Sequence, residues 1–195
     1  MSYLTVDPPR RHRLSVADYY RMAEVGILRP DERVELIDGE IIDMAPIGSR
    51  HNATVTRLAT ILHKAVGDKA IVQTRGSVSL GAYSEPEPDI AVLHPRADFY
   101  WSAHPRAAEI QLIVEVAESS LRFDRDVKLP LYARHNVGET WLVDVDSRRV
   151  IRHRKPAQGK YTWVDEPDLG SPLEIEAIDG VRVDLRELFP TGVGR

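Results

Sequence analysis

The spacing of apolar positions changes several times along the chain, and each change predicts an element. Val16, Tyr19, Tyr20 and Ala23 recur at helical spacing behind Ser15 and Asp18, which are placed as a capping box, so a short first helix is expected to end near Gly26. Two apolar stretches at 34–37 and 40–44 then flank Asp38-Gly39, the strongest short-range signal for a β-hairpin. A second helix over 50–66 carries Val55, Leu58, Ala59, Leu62 and Val66 on one stripe, with Ser49 as its expected N-cap. Alternation follows at 70–74 and 77–80. Two denser apolar runs, 87–93 and 111–117, read as buried strands separated by a loop over 94–106. A third helix over 121–134, capped by Ser119 or Ser120, contains Pro130, which removes a backbone donor and is expected to kink the helix or shift its register. A hairpin at 141–145 and 150–154, strands at 161–164 and 173–175, and a helical piece at 185–188 complete the pattern. The sum predicts an α/β or α+β domain in which helices pack on a sheet.

Composition narrows the setting. With 195 residues, 43% hydrophobic and 29% charged, the chain suits one folded domain over 15–190, with a flexible N-terminal arm over 1–14 and a short tail over 191–195. No Cys is present, which excludes disulfide frameworks, thiolate zinc sites and cysteine nucleophiles, and the cytoplasm is the expected compartment. The N-terminus carries Arg10, Arg11, His12 and Arg13 but no apolar core of an export signal, and no later run approaches membrane-spanning length. A net charge of −4 argues against a general nucleic-acid coat and leaves room for a local basic patch. One candidate is the run Arg148, Arg149, Arg152, His153, Arg154 and Lys155, which reads equally as phosphate contacts or as a solvated strand face. Phe99, Tyr100 and Trp101 stand in the 94–106 loop, placed to stack on bases, to meet a second subunit or to close a packing cluster.

The two dense apolar runs each contain one carboxylate, Asp89 and Glu115. Charged side chains are almost never buried in strands unless they are paired or bind a metal, so both call for a cation. If the strands pair, the two carboxylates meet at one end of the sheet. Hard oxygen ligands of this kind suit Mg²⁺ or Mn²⁺. A metal so held polarises a phosphoryl group and lowers the pKa of water, and phosphodiester hydrolysis is the natural chemistry. Lys128 is the third candidate, with Asp124 and Tyr132 four positions to either side on the same helical face. It can act as a point charge on a phosphoryl transition state or snorkel to an acidic neighbour. Glu35, at the start of the first hairpin, is the fourth. His51, at the start of the second helix, is placed either as a proton carrier or phosphate contact or as a capping residue. The His residues lack zinc-ligand spacing, no glycine-rich nucleotide loop precedes a helix, and Ser119 and Ser120 lack a nucleophile-elbow context, so no organic cofactor is expected.

Taken together, Glu35-Leu36-Ile37-Asp38-Gly39-Glu40, His51 after Gly48-Ser49, Pro88-Asp89-Ile90, Glu115-Val116 with Ser119-Ser120, Asp124, Lys128 and Tyr132, and Trp141-Leu142-Val143-Asp144 resemble the Uma2 family (DUF820) of the PD-(D/E)XK nuclease superfamily. The resemblance implies a restriction-endonuclease-like fold, a central mixed β-sheet flanked by helices and preceded by an N-terminal helix and hairpin. It also implies that Asp89 and Glu115 are metal ligands, Lys128 the catalytic lysine and Glu35 an accessory acid at the metal. The chain departs from the superfamily signature at Ala117, where the signature lysine would stand. Lys128 must substitute from about 12 Å along a helix starting at Ser120, which requires that helix to cross the carboxylate end of the strand.

The expectation is a Mg²⁺- or Mn²⁺-dependent endonuclease cutting DNA, with a homodimer supplying two active sites. The rivals are a non-catalytic nucleic-acid-binding or regulatory module that retains the fold, and a phosphoesterase of small nucleotides.

Overall fold

A computed structural model describes residues 11–190; the first ten residues of the expected arm and the tail 191–195 lie outside the described residues. From Arg11 onward the chain is held to the first hairpin. Leu14 N–H donates to Gly39 O at 3.0 Å, and Arg13 Nε donates to Asp38 O at 2.7 Å. Helix α1 (Val16–Glu24) begins with the expected box, in which Asp18 N–H donates to Ser15 Oγ and Ser15 N–H to the Asp18 carboxylate.

Strands β1 (Val34–Ile37) and β2 (Glu40–Asp43) pair antiparallel around Asp38 and Gly39, both at positive φ. Gly39 is required twice over, because a Cβ there would come within 2.6 Å of Arg13 Cβ. This hairpin is a sheet of its own, tied to the body by a bridge between Leu36 and Glu85. Helix α2 (Ser49–Val66) buries the expected stripe of Val55, Leu58, Ala59, Leu62 and Val66. Its N-cap is Gly48 rather than Ser49, and the capping acceptor comes from elsewhere in the chain: Glu118 receives the His51 N–H at 3.2 Å.

Six strands form the main sheet in the order β3 (Ile71–Thr74), β4 (Ile90–Leu93), β5 (Ile110–Ala117), β6 (Glu139–Asp144), β7 (Arg149–Ala157) and β8 (Lys160–Asp165). β5 and β6 run parallel, and the other neighbours antiparallel. A parallel pair cannot be joined by a tight turn, so the chain must cross over between them. The crossover is α3 (Leu121–Phe123), a π turn (Asp124–Lys128) and α4 (Leu129–Arg134). In the π turn Leu129 N–H reaches back five residues to Asp124 O. Pro130 follows at once. Its ring crowds the carbonyl four residues back, and the widened turn is the register shift that accommodates it.

Both faces of the sheet are covered. Ile90, Val92, Leu112, Val114 and Val116 face α2 and the tail strands β9 (Leu173–Glu174) and β10 (Arg182–Val183). Ala91, Leu93 and Ile113 face Leu131, Tyr132 and Val137 of the crossover side. Strand alternation assigns Glu115, and Asp89 just before β4, to this second face.

Three expected elements differ. Residues 77–80 bury Val78 and Leu80 as alternation predicts, yet no ladder forms. Val78 N–H donates to Pro86 O, Leu80 N–H to Ser84 O, and Ser79 makes an isolated bridge to Arg106. The run 87–93 becomes a strand only at Ile90, because Pro86 and Pro88 have no N–H to offer a ladder. Residues 185–188 close a single turn, Leu188 N–H to Leu185 O, and not a helix. No helix among the described residues is long and apolar enough to cross a membrane.

Candidate active site

The β4–β5 register pairs Ile90 with Val114, and its continuation sets Asp89 opposite Glu115. Asp89 is fixed from both sides. Its Oδ2 accepts Val116 N–H at 2.8 Å, and its Oδ1 lies 2.9 Å from His51 Nε2 at the start of α2. Lys128 reaches the same place from the crossover, its Nζ 3.3 Å from Glu115 Oε1 and 3.1 Å from Glu35 Oε2. Glu35 Oε2 also accepts Glu87 N–H at 3.0 Å, and the Tyr132 hydroxyl donates to Glu115. The helix therefore crosses the carboxylate end of β5 as the substitution of Lys128 for Ala117 requires. Ala117 itself packs with Leu129 and Leu142. Glu35, Asp89, Glu115 and Lys128 all line one cavity of about 290 Å³, together with His51, Glu87, Glu118 and Asp124.

Electrostatics at this cavity are lopsided. Lys128 is 5% exposed, Glu115 2% and Glu35 and Asp124 4% each. Burial pulls the Lys128 ammonium down, but Glu115, Glu35 and Asp124 outweigh it and hold its pKa above the ordinary lysine value. Lys128 is thus a standing cation and not a proton acceptor at neutral pH. Glu115 goes the other way. Burial drives its carboxyl well above the usual range, and the charges of Asp124 and Asp89 add to this while Lys128 and the Tyr132 hydroxyl oppose it. Burial likewise raises Asp124, against its bond from Ser120 and the charge of Lys128. Even with Arg33 and His51 in the same lining, the Lys128 ammonium faces more carboxyl groups than these cations can pair. His51 is raised by its bond to Asp89, against the effect of burial. Among the described residues no group of three or more His, Asp or Glu side chains is placed to hold a metal ion between them.

A model of the Uma2 family, described as "Putative restriction endonuclease", matches residues 16–186. The chain belongs to the Uma2 family. The resemblance carried by its motifs is therefore borne out. This Uma2 protein is 28% identical over 168 residues to an uncharacterized protein of Synechocystis sp., sll1609, a match that spans 84% of this chain and 92% of that one. Its fold is that of a crystal structure from Anabaena variabilis described as a "putative nuclease belonging to DUF820". The two superpose with a TM-score of 0.67 at 15% identity, over 90% of this chain and 97% of the other. Family and fold together point to a restriction-endonuclease-like nuclease, and the expected mixed sheet with flanking helices is the observed one.

Within the Uma2 site, several contributors go beyond the four residues that the sequence singles out. Asp124 and Tyr132 share the face of Lys128 by their spacing, and that spacing is the signal that they belong to its network. His51 bonds to Asp89 and does not merely cap its helix. Glu118, whose carboxylate caps α2 and binds Arg50 at 2.8 Å, carries no local signal. The basic run on β7 is largely spent inside the protein: Arg152 pairs with Asp165, Arg154 with Glu139 at 2.7 Å, and Arg149 with Glu166 at 3.3 Å.

Proposed function

We propose that this protein is a Mg²⁺- or Mn²⁺-dependent endonuclease that hydrolyses phosphodiester bonds in DNA. One observation carries the reading: the Lys128 ammonium stands among Glu35, Asp89, Glu115 and Asp124 in one cavity whose carboxyl groups outnumber its cationic side chains, Arg33 and His51 included, an excess that a bound cation would offset. The donor set fits a hard divalent ion, which takes one or two carboxylates, fills the rest of its shell with water or phosphate oxygen, and needs no enclosing cage. Asp89 and Glu115 would hold it, with Glu35 in support. When bound, it would supply charge neutralisation at the phosphoryl group and easier deprotonation of the attacking water.

The chain's own residues do the rest. Lys128, aimed into the cavity, stabilises negative charge developing on the phosphoryl oxygens. Glu35 anchors that ammonium, and Tyr132 fixes the Glu115 carboxylate. Val116 N–H and His51 clamp Asp89 in one orientation. Each chain offers one such site, so a homodimer would cut both strands of a duplex, and sedimentation of the purified protein reads that part of the proposal.

The test is incubation with plasmid and with single-stranded DNA in Mg²⁺ or Mn²⁺, comparing the wild type with Asp89→Ala. Cleavage by the wild type alone is expected, and equal activity in both sinks the assignment. Turnover of mononucleotides with intact plasmid would instead identify a small-nucleotide phosphoesterase. DNA retention without any cleavage would identify a binding module.

A further inference from the structure

Trp101 is 93% exposed and Phe99 74% exposed, and both stand in the loop between β4 and β5. That loop is not slack. Phe99 and Tyr100 are held at φ +48° and +61°, a region unfavourable to any residue with a Cβ. Around them the scaffold is dense. Arg96 grips Asp98 through two bonds of 2.6 Å, its guanidinium lies 4.3 Å from the centre of the Tyr100 ring, and the Tyr100 hydroxyl donates to His94 O at 2.9 Å. Of the three aromatics only Tyr100 packs; the turn holds the other two out in water. Backbone strain fixed by this many contacts marks a segment kept for what it presents.

Beside Trp101 a cleft of about 440 Å³ opens towards α1. At its floor is Glu85, 4% exposed, which accepts from the Tyr20 hydroxyl and lies 3.9 Å from His104 Nε2. The Tyr20 and His104 rings are nearly parallel, 14° apart with centres 6.5 Å from each other. Flat aromatic walls and a carboxylate acceptor suit a planar heterocycle with N–H donors on its edge. A short stretch of chain links the cleft to the candidate active site: Glu85 lines the first and Glu87, beyond Pro86, lines the second, at most about 7 Å apart along the backbone.

We propose that Trp101 and the Glu85 cleft form a nucleobase subsite, which takes an unpaired base of the strand being cut, close to the scissile phosphodiester. The indole stacks on the base and Glu85 accepts hydrogen bonds from its edge. Guanine is the preferred occupant, because its N1–H and N2–H₂ offer a carboxylate two adjacent donors where adenine and cytosine offer one amino group. A base stacked inside a duplex cannot enter, so the strand must be single or the base flipped. The inference rests on the nuclease reading above.

The test measures binding without cleavage: fluorescence anisotropy and tryptophan quenching with labelled hexathymidylates carrying one central guanine, adenine, cytosine or thymine, in the absence of divalent metal. The wild type should bind the guanine oligonucleotide most tightly. Trp101→Ala should weaken binding roughly 5- to 100-fold and abolish most quenching, and Trp101→Phe should restore most of the affinity. Glu85→Gln should level the base preference. Equal affinity of wild type and Trp101→Ala overturns the subsite whatever happens to plasmid cleavage. So does a Trp101→Ala protein that changes from dimer to monomer in sedimentation with its oligonucleotide affinity intact, since the loop is then an interface between copies. The expected binding pattern without plasmid cleavage removes the nuclease reading and leaves the subsite standing.

Discussion

Glu139 opens β6 and Glu115 lies near the end of β5, neighbouring strands of one sheet, and both carboxylates are buried. The protein surrounds them in opposite ways. Glu139 receives the Trp141 indole N–H at 2.7 Å, the Arg154 guanidinium at 2.7 Å and the Glu176 N–H at 2.9 Å. Three donors converge on one acceptor, and the result ties the tail to the sheet. Glu115 has the Tyr132 hydroxyl and a half share of Lys128, with Asp124 and Asp89 close enough to push its carboxyl up. Burial is common to both sites. Balance is what separates the structural charge at Glu139 from the strained one at Glu115, the residue proposed to meet a ligand.

That contrast can be broken by the same kind of substitution at the two sites. Glu139→Gln strips a paired carboxylate from Arg154 and should cost about 3–5 kcal/mol in urea unfolding, with cleavage by the folded fraction unchanged. A loss under about 1 kcal/mol would mean that Glu139 is no anchor. Lys128→Met should lower cleavage by about 10²–10³-fold, the scale of removing one electrostatic contact to a developing oxyanion. Full activity in that variant would return Lys128 to a structural role.

Glu115→Gln should reverse the sign seen at Glu139. A carboxyl whose folded pKa lies above its unfolded value contributes stability below the unfolded pKa and loses it as pH rises through the folded one. The wild type therefore loses stability as pH rises and this carboxyl is forced to ionise in its buried place, and the variant, which has no proton to lose there, does not. Urea midpoints at pH 5 and pH 8 should show Glu115→Gln gaining on the wild type at the higher pH. A constant difference across that range would dissolve the contrast. The smallest effect is expected at Gly48, where a Cβ would stand 2.4 Å from Glu118 Oε2. Gly48→Ala must displace that carboxylate from the α2 N-terminus, at a cost of about 1 kcal/mol or less, read from the thermal midpoint.

Most of what positions the site could be read from local pattern. The capping box, the Asp38-Gly39 turn and the two strands each advertise themselves within a few residues. Asp89 and Glu115 stand out because a carboxylate inside an apolar run is too costly to bury unless a cation meets it there. What escaped is whatever depends on a partner distant in sequence. Ser77-Val78-Ser79-Leu80 alternates as a strand should, yet no neighbour offered it a ladder. Ser49 has the chemistry of an N-cap, but Glu118 supplies the acceptor instead. Glu139 has no local mark at all, since its donors come from β6 itself, β7 and the tail. Phe99-Tyr100-Trp101 reads as one aromatic cluster, and only the backbone conformation divides the packed residue from the presented ones.

The π turn at Asp124–Lys128 has a consequence for how such a site is gained or lost. A widened turn is equivalent to one residue inserted into a helix, and a helix rotates about 100° per residue. Losing a single codon there, for instance that of exposed Arg125, would leave Asp124 and Tyr132 seven residues apart, close to two full α-helical turns, and so still on one side of the rod. A frame-preserving deletion at this turn is thus taken up by straightening the helix, and it alters the motif on paper more than the site in space. Such a chain should be less stable, because Pro130 then meets a regular helix, yet cut DNA where it folds, and a reader of sequence motifs alone would wrongly count it as disarmed.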